Sequence, residues 1–237
     1  MRNIVSAQWL KENLSSPDLV ILDASIELSA DGKRIEKSDL NIPRARHFDL
    51  KNVFLDHASP FPNTLPRPEI FELECRKLGI NRDSKIVVYD NRGIYSSPRA
   101  WWLFKAMGHN EVAVLDGGLP YWIENGFQTT YRSHIKVKTG NFKVDFDNSL
   151  LVSFEQVKTN KSEKKFVLVD ARSEGRFNGT EKEPREYLKS GKIPGSINFH
   201  YKEVLVKGKF KTKTELNKLF ADKFKGEKEL VFSCGSG

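Results

Sequence analysis

The chain has 237 residues, a formal net charge of +8, 38% hydrophobic residues and 11% aromatic residues. This length suits two small domains or one large one, and the aromatic content excludes a disordered chain. We expect no membrane span, because no apolar run approaches about 20 residues. Two cysteines exclude a disulfide framework and a structural zinc site made of cysteine alone. We therefore expect a cytoplasmic protein with no metal and no cofactor.

Three sequence markers recur in the same order in the two halves of the chain. They are an apolar run ending in Asp-Ala, an Ile-Pro segment and a second apolar run, which occupy 20–24, 42–48 and 85–90 in the first half and 167–171, 193–199 and 229–234 in the second. The offsets are 147, 151 and 144 residues. Three markers at nearly one offset indicate two tandem copies of a single domain.

Each copy is predicted to alternate strands with helices. Short β-branched runs at 86–89 and 166–169 lack the alternation of a half-exposed strand, which is typical of parallel sheets covered on both faces. Helices are predicted over 68–78 and 97–107, because each has proline near its start and glycine just past its end. The predicted fold class is therefore α/β, with two tandem open parallel-sheet domains.

The two predicted copies end differently. The first continues after Asp90 through a helix, a strand at 112–115 and a turn at 116–122, whereas only three residues follow Cys234. A domain without that helix and strand would leave sheet edges open. We therefore expect the second copy to be truncated at its C-terminus and the chain to be a fragment of a longer protein.

The polar segment 132–149 has no clear periodicity and is the predicted linker. It separates a first domain over 1–131 from a second, incomplete domain over 150–237. Nine lysines accompany four acids between Lys202 and Lys228, with apolar residues among them at helical spacing. This run is typical of a solvated helix face, so we expect no nucleic-acid partner.

The residues that suggest chemistry lie where the copies differ. Cys234 follows an apolar run and precedes Gly235, Ser236 and Gly237, which places a thiol at the carboxyl edge of a parallel sheet, where ligands bind. Glycines there allow backbone N–H groups to face the sulfur and stabilise a thiolate. The first copy has Asp90 at this place.

The second cysteine has a different setting. Cys75 lies inside the helix predicted over 68–78. Because the interior of a helix offers no unpaired backbone donors to a sulfur anion, we expect this thiol to be structural.

Five motifs occur together along the chain. They are the Cys234-Gly235-Ser236-Gly237 loop, Asp170-Ala171-Arg172 with Arg176-Phe177 and Gly179, Glu183-Pro184-Arg185, the segment 191–195 and the turn at 115–120. Together they resemble the two-domain rhodanese family, and within it the 3-mercaptopyruvate sulfurtransferase branch. The resemblance implies transfer of sulfane sulfur from 3-mercaptopyruvate or thiosulfate, a small anionic donor, through a Cys234 persulfide. The implied acceptors are a thioredoxin-like protein, a small thiol or cyanide.

The resemblance also implies roles for individual residues. Arg176 and Arg185 would bind the donor carboxylate, which a forked guanidinium suits better than an ammonium group, and Gly235 and Gly237 would shape the donor site. The alternative is that the two arginines pair with neighbouring glutamates on an exposed loop. Ser236 is the candidate proton relay, with helix capping as its alternative role. A small neutral loop after the cysteine favours mercaptopyruvate over thiosulfate.

One position departs from the family pattern. Family members often have a histidine at the end of a Ser-Pro-x-x-His segment, where this chain has Asn63. His57 lies nearby in the sequence and could take the place of that histidine, but we expect it to be an exposed loop residue with no such role. Two further functions stay open, a catalytically weak or inactive binding protein and a cysteine-dependent phosphatase on the same scaffold.

Overall fold

The computed structural model describes residues 1–27, 38–133, 135–184, 188–226 and 229–234. They divide into two compact units, with the boundary between residues 148 and 149. No helix within these ranges is long and apolar enough to cross a membrane.

The first unit contains a five-stranded parallel sheet. Its strands and those of a separate antiparallel pair are β1 (Ile4–Val5), β2 (Leu19–Asp23), β3 (Leu40–Asn41), β4 (Arg46–His47), β5 (Lys85–Tyr89), β6 (Val112–Leu115) and β7 (Thr130–Tyr131). The sheet has the order β1-β6-β5-β2-β4, and β3 pairs with β7. Every residue of β2 and β6 is buried, which confirms the prediction of a sheet covered on both faces.

Four helices pack on this sheet. They are α1 (Ala7–Asn13), α2 (Pro68–Lys77), α3 (Ser97–Ala106) and α4 (Gly118–Glu124). One apolar cluster joins α1 and α4 to the sheet. A second, aromatic cluster joins Phe71 of α2 and Phe104 of α3 to Phe48, with ring centroids 5.2 to 6.3 Å apart. The predicted helices over 68–78 and 97–107 are confirmed to within one residue.

The turn predicted over 116–122 is wrong for most of its length. After Gly117, which has φ of 80°, the chain enters α4 at Gly118. Glycine and proline are typical of turns, but Pro120 lies in the first turn of a helix, where its missing N–H removes no hydrogen bond. A Cβ atom on Gly118 would lie 2.4 Å from the carbonyl oxygen of Asp90. The glycine is therefore required by close approach of two backbones.

The segment predicted as the linker lies against the first unit. Gly140 N–H donates to the carbonyl of Arg76 over 2.8 Å, and Phe142 N–H donates to that of Ile80 over 3.0 Å. The Phe142 side chain is fully buried. Because these hydrogen bonds join irregular backbone to helix ends and loops, the segment has no periodic sequence pattern.

The second unit has a smaller parallel sheet. Its strands are β8 (Phe166–Asp170), β9 (Ile197–Asn198), β10 (Leu205–Val206), β11 (Lys209–Phe210) and β12 (Glu229–Ser233), and its helices are α5 (Phe154–Glu163), α6 (Glu174–Asn178) and α7 (Lys213–Lys223). The parallel sheet has the order β12-β8-β9, and β10 and β11 form an antiparallel hairpin. Single turns of 3₁₀ helix occur at Asn148–Leu150 and Tyr201–Val204.

Strand register confirms the internal repeat. Asp23 at the end of β2 pairs with Tyr89 at the end of β5, and Asp170 at the end of β8 pairs with Ser233 at the end of β12. The residue after each aspartate, an alanine, donates its N–H to the carbonyl of Tyr89 or Ser233 over 2.8 or 2.9 Å. The residues that follow Tyr89 and Ser233 therefore occupy equivalent places at the carboxyl edges of the two sheets.

The two units differ in how much apolar surface they bury. In the described part of the second unit, only four apolar residues are buried, Leu168, Val169, Phe177 and Phe199, whereas those of the first unit fill both faces of its sheet. Phe232 in β12 remains 54% exposed. Each fully buried large apolar side chain contributes about 1.5–3 kcal/mol, so apolar burial stabilises the first unit more than the second.

Candidate functional site

Cys234 lies at the carboxyl edge of the second sheet. It directly follows β12, and its side chain is exposed. The preceding residue, Ser233, is held by its pairing with Asp170 and accepts the Ala171 N–H. The sheet therefore presents the thiol at the edge where open α/β sheets bind ligands.

Cys75 is unsuited to such a role. It lies in α2 and is fully buried. Burial raises the pKa of its thiol well above the usual value, with a smaller effect from Glu74. A buried thiol held in its neutral form is neither accessible nor nucleophilic.

Asp90 occupies the place in the first unit that Cys234 occupies in the second. Its Oδ2 accepts the N–H groups of Tyr95, Ser96 and Ser97 over 2.9 to 3.0 Å and the Ser97 hydroxyl over 2.6 Å. Its Oδ1 accepts the Arg92 N–H over 2.9 Å. These five hydrogen bonds satisfy the buried carboxylate within its own loop. The loop after β5 thus brings N–H donors from the start of α3 onto a single anionic group.

Four charged side chains form a chain of ion pairs beside the end of β8. Arg172 Nη2 donates to Asp170 Oδ2 and Arg172 Nη1 donates to Glu183 Oε1, each over 2.6 Å. Glu183 in turn accepts Nε and Nη2 of Arg176 over 3.1 and 2.5 Å. The side chain of Glu183 is 1% exposed and that of Arg176 is 18% exposed.

The charges in this chain of ion pairs stabilise one another. Burial alone would raise the pKa of Glu183, but the hydrogen bonds from Arg176 and Arg172 outweigh it and hold the pKa below its usual value. Hydrogen bonding to Asp170 raises the pKa of Arg172. The Glu183 carboxylate and the Arg172 guanidinium are therefore ionised at neutral pH, and neither is left as a buried unpaired charge.

Arg176 thus pairs with a glutamate, as the alternative interpretation of the sequence predicted, but the Glu183 side chain is buried and the Arg176 side chain is partly buried. Glu183 engages Nε and Nη2, and the described residues supply no acceptor to Nη1. No role is predicted from the sequence for Glu183, which belongs to the Glu183-Pro184-Arg185 motif. Its position between Arg176 and Arg185 is the signal that indicates one, because a partly buried guanidinium needs an acid nearby.

Several residues predicted for the site lie outside the described residues. These are Arg185, Gly235, Ser236 and Gly237. Their roles remain predictions. Among the described residues, no group of three or more His, Cys, Asp or Glu side chains is arranged to hold a metal ion.

The position at which the family pattern has a histidine is part of the first unit. Asn63 has φ of 56°, its Oδ1 accepts Lys51 Nζ over 2.9 Å, and its carbonyl accepts Arg99 Nη2 over 2.6 Å. His57 is exposed, with Nε2 2.8 Å from the Asn52 carbonyl. Asn63 therefore organises two cations and has no ring nitrogen to exchange a proton.

Comparison with known proteins gives consistent matches along the chain. Residues 6–125 and 153–237 match the model of the rhodanese-like domain. The 3-mercaptopyruvate sulfurtransferase of Mus musculus is 38% identical over 247 residues, covering 100% of this chain and 82% of that protein. The enzyme of the same name from Escherichia coli K12 is 35% identical, covering 98% and 84%. The thiosulfate sulfurtransferase of Cricetulus griseus is 37% identical, covering 100% and 82%.

Solved structures extend the likeness to three dimensions. The 3-mercaptopyruvate sulfotransferase SseA from Escherichia coli superposes with a TM-score of 0.88 at 32% identity, covering 100% of this chain and 90% of that chain. The Tum1 protein of Saccharomyces cerevisiae superposes with a TM-score of 0.86 at 27% identity, covering 99% and 85%. Both halves of the chain match one domain model, as the internal repeat predicted.

Proposed function

This chain belongs to the rhodanese-like family and is a sulfurtransferase, and we propose that it takes sulfur from 3-mercaptopyruvate and carries it as a persulfide on Cys234. The observation that carries the proposal is the exposed Cys234 thiol at a sheet edge. At the equivalent place, the first unit gathers five hydrogen bonds on the Asp90 carboxylate. The repeat thus puts a thiol where its other copy stabilises an anion.

The loop after β5 in the first unit supplies the physical reason for a reactive thiol. A backbone that converges on a carboxylate can equally stabilise a thiolate, because both are anions that accept N–H hydrogen bonds. We expect the residues after Cys234 to direct N–H groups at its sulfur in the same way. Such donors lower the pKa of a cysteine and raise its thiolate fraction at neutral pH.

The first half-reaction loads the cysteine. The Cys234 thiolate attacks the sulfur of 3-mercaptopyruvate and forms an S–S bond, while the C–S bond of the donor breaks. The electron pair of that bond remains with the carbon as the enolate of pyruvate, which takes up one proton. Ser236 is the proposed relay for this proton. The products are pyruvate and the Cys234 persulfide.

The second half-reaction transfers the outer sulfur of the Cys234 persulfide to an acceptor. An acceptor thiolate attacks the outer sulfur of the persulfide, the S–S bond breaks, and the electron pair returns to Cys234 as its thiolate. The acceptor leaves as a persulfide, or as thiocyanate when cyanide is the acceptor. No net oxidation of the protein occurs over the cycle.

The choice of donor depends on charge and on loop size. Mercaptopyruvate has a carboxylate, and we propose that Arg176 and Arg185 bind it, with Nη1 of Arg176 as the donor that Glu183 leaves available. Gly235 and Gly237 would keep the site small and neutral, which disfavours the second negative charge of thiosulfate. Sequence identity does not separate the donors, because relatives named for each are 37% and 38% identical to this chain.

Mass spectrometry of the loaded protein tests the proposal. Incubation with 3-mercaptopyruvate should add about 32 Da, one sulfur atom, to the peptide that contains Cys234 and not to the one that contains Cys75. Sulfur on Cys75 alone would contradict the assignment. A phosphatase or an inactive binding protein would gain no sulfur, so the same measurement separates the alternative functions.

The donor site is tested by substitution. Arg185→Ala should lower kcat/KM for mercaptopyruvate by one to two decades, since a charge-assisted hydrogen bond contributes about 1.5–3 kcal/mol. Lys189→Ala, a nearby exposed cation, is the matched control and should change little. Equal kcat/KM in the two variants would assign Arg185 to an ion pair instead of the donor.

A further inference from the structure

Five lysines follow the point where the chain leaves the carboxyl edge of the second sheet. We call them the lysine edge, and they are Lys202, Lys207, Lys209, Lys211 and Lys213. Backbone hydrogen bonds fix where this segment starts, because Tyr201 N–H donates to Ala171 over 3.2 Å and Ala171 N–H donates to Ser233 over 2.9 Å. Neighbouring strands lie about 4.8 Å apart, so the segment begins roughly 10 Å from the residue that precedes Cys234.

The segment holds its lysines on defined elements. Lys207 and Gly208 have φ of 48° and 77°, the paired left-handed conformation of a two-residue hairpin turn, and they connect β10 to β11. Lys211 N–H donates to the carbonyl of Val204 over 3.0 Å and closes the base of the hairpin. Lys213 is the first residue of α7. The charges are therefore presented by a hairpin and a helix start.

The acids closest to these lysines in the sequence, Glu203 and Glu215, accept backbone N–H groups at the starts of a 3₁₀ turn and of α7. Glu203 accepts the His200 N–H over 2.9 Å, and Glu215 accepts the Thr212 N–H over 2.8 Å. Lys202, Lys207, Lys211 and Lys213 form no ion pair with any described residue. The surface is thus positively charged, and Val206, 49% exposed, lies within it.

We propose that the lysine edge docks an acidic protein whose thiol accepts sulfur from Cys234. The inference rests on the proposed role of Cys234 and adds the partner surface. A protein acceptor that brings its thiol to this sheet edge covers about 800 Å² per partner, and the segment that carries the lysines begins at the same edge. Lysines around an apolar residue favour an acidic partner, because complementary charge accelerates encounter and excludes other partners.

The position of α7 along the chain supplies a matched control. The chain runs from α7 to Glu229, the first residue of β12, at the edge of the sheet opposite Cys234. We therefore expect Lys218, Lys223 and Lys225 to lie farther from Cys234 than the lysine edge does. The test variant replaces Lys207, Lys211 and Lys213 with glutamate, and the control variant replaces these other three. Both change net charge equally, and thermal unfolding by circular dichroism verifies that both fold.

Binding is measured with reduced thioredoxin, an acidic protein dithiol, by fluorescence anisotropy of the labelled thioredoxin. The test variant should bind about tenfold more weakly than the control variant, and raising salt from about 50 to 300 mM should weaken binding of the unchanged protein similarly. Equal binding by the two variants would overturn the proposal. If the unchanged protein binds a double-stranded DNA probe and the test variant loses that binding while it still binds thioredoxin, the surface would be assigned to nucleic acid. That result would also overturn the proposal.

Sulfur discharge separates this surface from the proposed chemistry. With thioredoxin as acceptor, kcat/KM of the test variant should fall about tenfold, whereas with the uncharged 2-mercaptoethanol it should stay unchanged. An equal fall with both acceptors would show damage to the Cys234 loop and contradict docking. If the unchanged protein binds thioredoxin but transfers no sulfur to either acceptor, the proposed function fails while the docking surface stands.

Discussion

The two units place different groups at the same point of the same backbone framework. Asp90 is buried and satisfied by five hydrogen bonds of its own loop, whereas Cys234 is exposed at the end of its strand. A carboxylate with that many donors gains nothing from a further partner. An exposed thiol at the equivalent place is accessible to an alkylating reagent or a sulfur donor. We therefore expect this framework to serve stability in the first unit and chemistry in the second.

The cores differ in the same direction. The first unit buries aromatic side chains from α2, α3 and the segment containing Phe142, while the second unit leaves Phe232 half exposed. Charge replaces some of this burial in the second unit, where the Asp170, Arg172, Glu183 and Arg176 side chains interlock. We therefore expect the stability of the second unit to depend more on pH than the stability of the first unit.

The largest expected effect separates the two cysteines. Cys234→Ser should reduce sulfur transfer by about three decades or more, because a serine hydroxyl is not ionised at neutral pH and cannot hold a persulfide. Cys75→Ala should leave kcat nearly unchanged, with a stability loss of about 1 kcal/mol from its small buried cavity. Steady-state rates of the two variants check this. Comparable losses of rate would contradict the assignment of chemistry to the second unit.

The second effect concerns the buried carboxylate of the first unit. Asp90→Ala should lower the free energy of unfolding of that unit by about 3 kcal/mol, because the N–H groups of Tyr95, Ser96 and Ser97 lose their acceptor. Asp90→Asn keeps one acceptor oxygen and should lose less. All four tryptophans lie in the first unit, so urea unfolding followed by tryptophan fluorescence reports on it. Equal stabilities of the alanine variant and the unchanged protein would refute this account of the loop.

The third effect concerns the ion pairs of the second unit. Glu183→Gln should destabilise that unit by about 2–3 kcal/mol at neutral pH, since Arg172 and Arg176 lose a shared charged partner. The lowered pKa of Glu183 means that its contribution is present above its ordinary value of 4.5 and is lost as the pH falls below it.

Hydrogen exchange of β8 and β12 at pH 7 and near pH 4 measures this effect. The unchanged protein should lose protection in these strands at the lower pH, and Glu183→Gln should show a smaller change between the two pH values. Lys182→Gln, at an exposed neighbour, is the control. A pH dependence of equal size in both variants would assign the acid sensitivity to other groups.

The smallest effect compares the two sheets directly. Amides of β2 and β5 should exchange about tenfold more slowly than those of β8 and β12, because more apolar surface covers the first sheet. Exchange followed by mass spectrometry under native conditions measures this ratio. Faster exchange in the first sheet would contradict the ranking of the two cores.

The internal repeat and the positions of proline and glycine were enough to predict much of the fold. Strand β6 has the predicted bounds, and α2 and α3 agree to within one residue, because proline and glycine mark helix ends by local sterics. The internal repeat predicts that Asp90 and Cys234 occupy equivalent positions, and strand register confirms that prediction. Local backbone preferences and the period of apolar residues do not depend on the rest of the chain, so a sequence reveals them.

Only the tertiary structure decided the features that join distant residues. The sequence predicts a turn where the structure has the helix α4. Gly118 is required there because the backbone of the distant Asp90 approaches it closely, and spacing along the chain does not reveal that contact. The pairing of Arg176 with Glu183, and the five donors on Asp90, depend on where side chains meet in space. Hydrogen bonds and ion pairs act over about 3 Å, and which groups come that close is set by the packing of sheets and helices rather than by spacing along the chain.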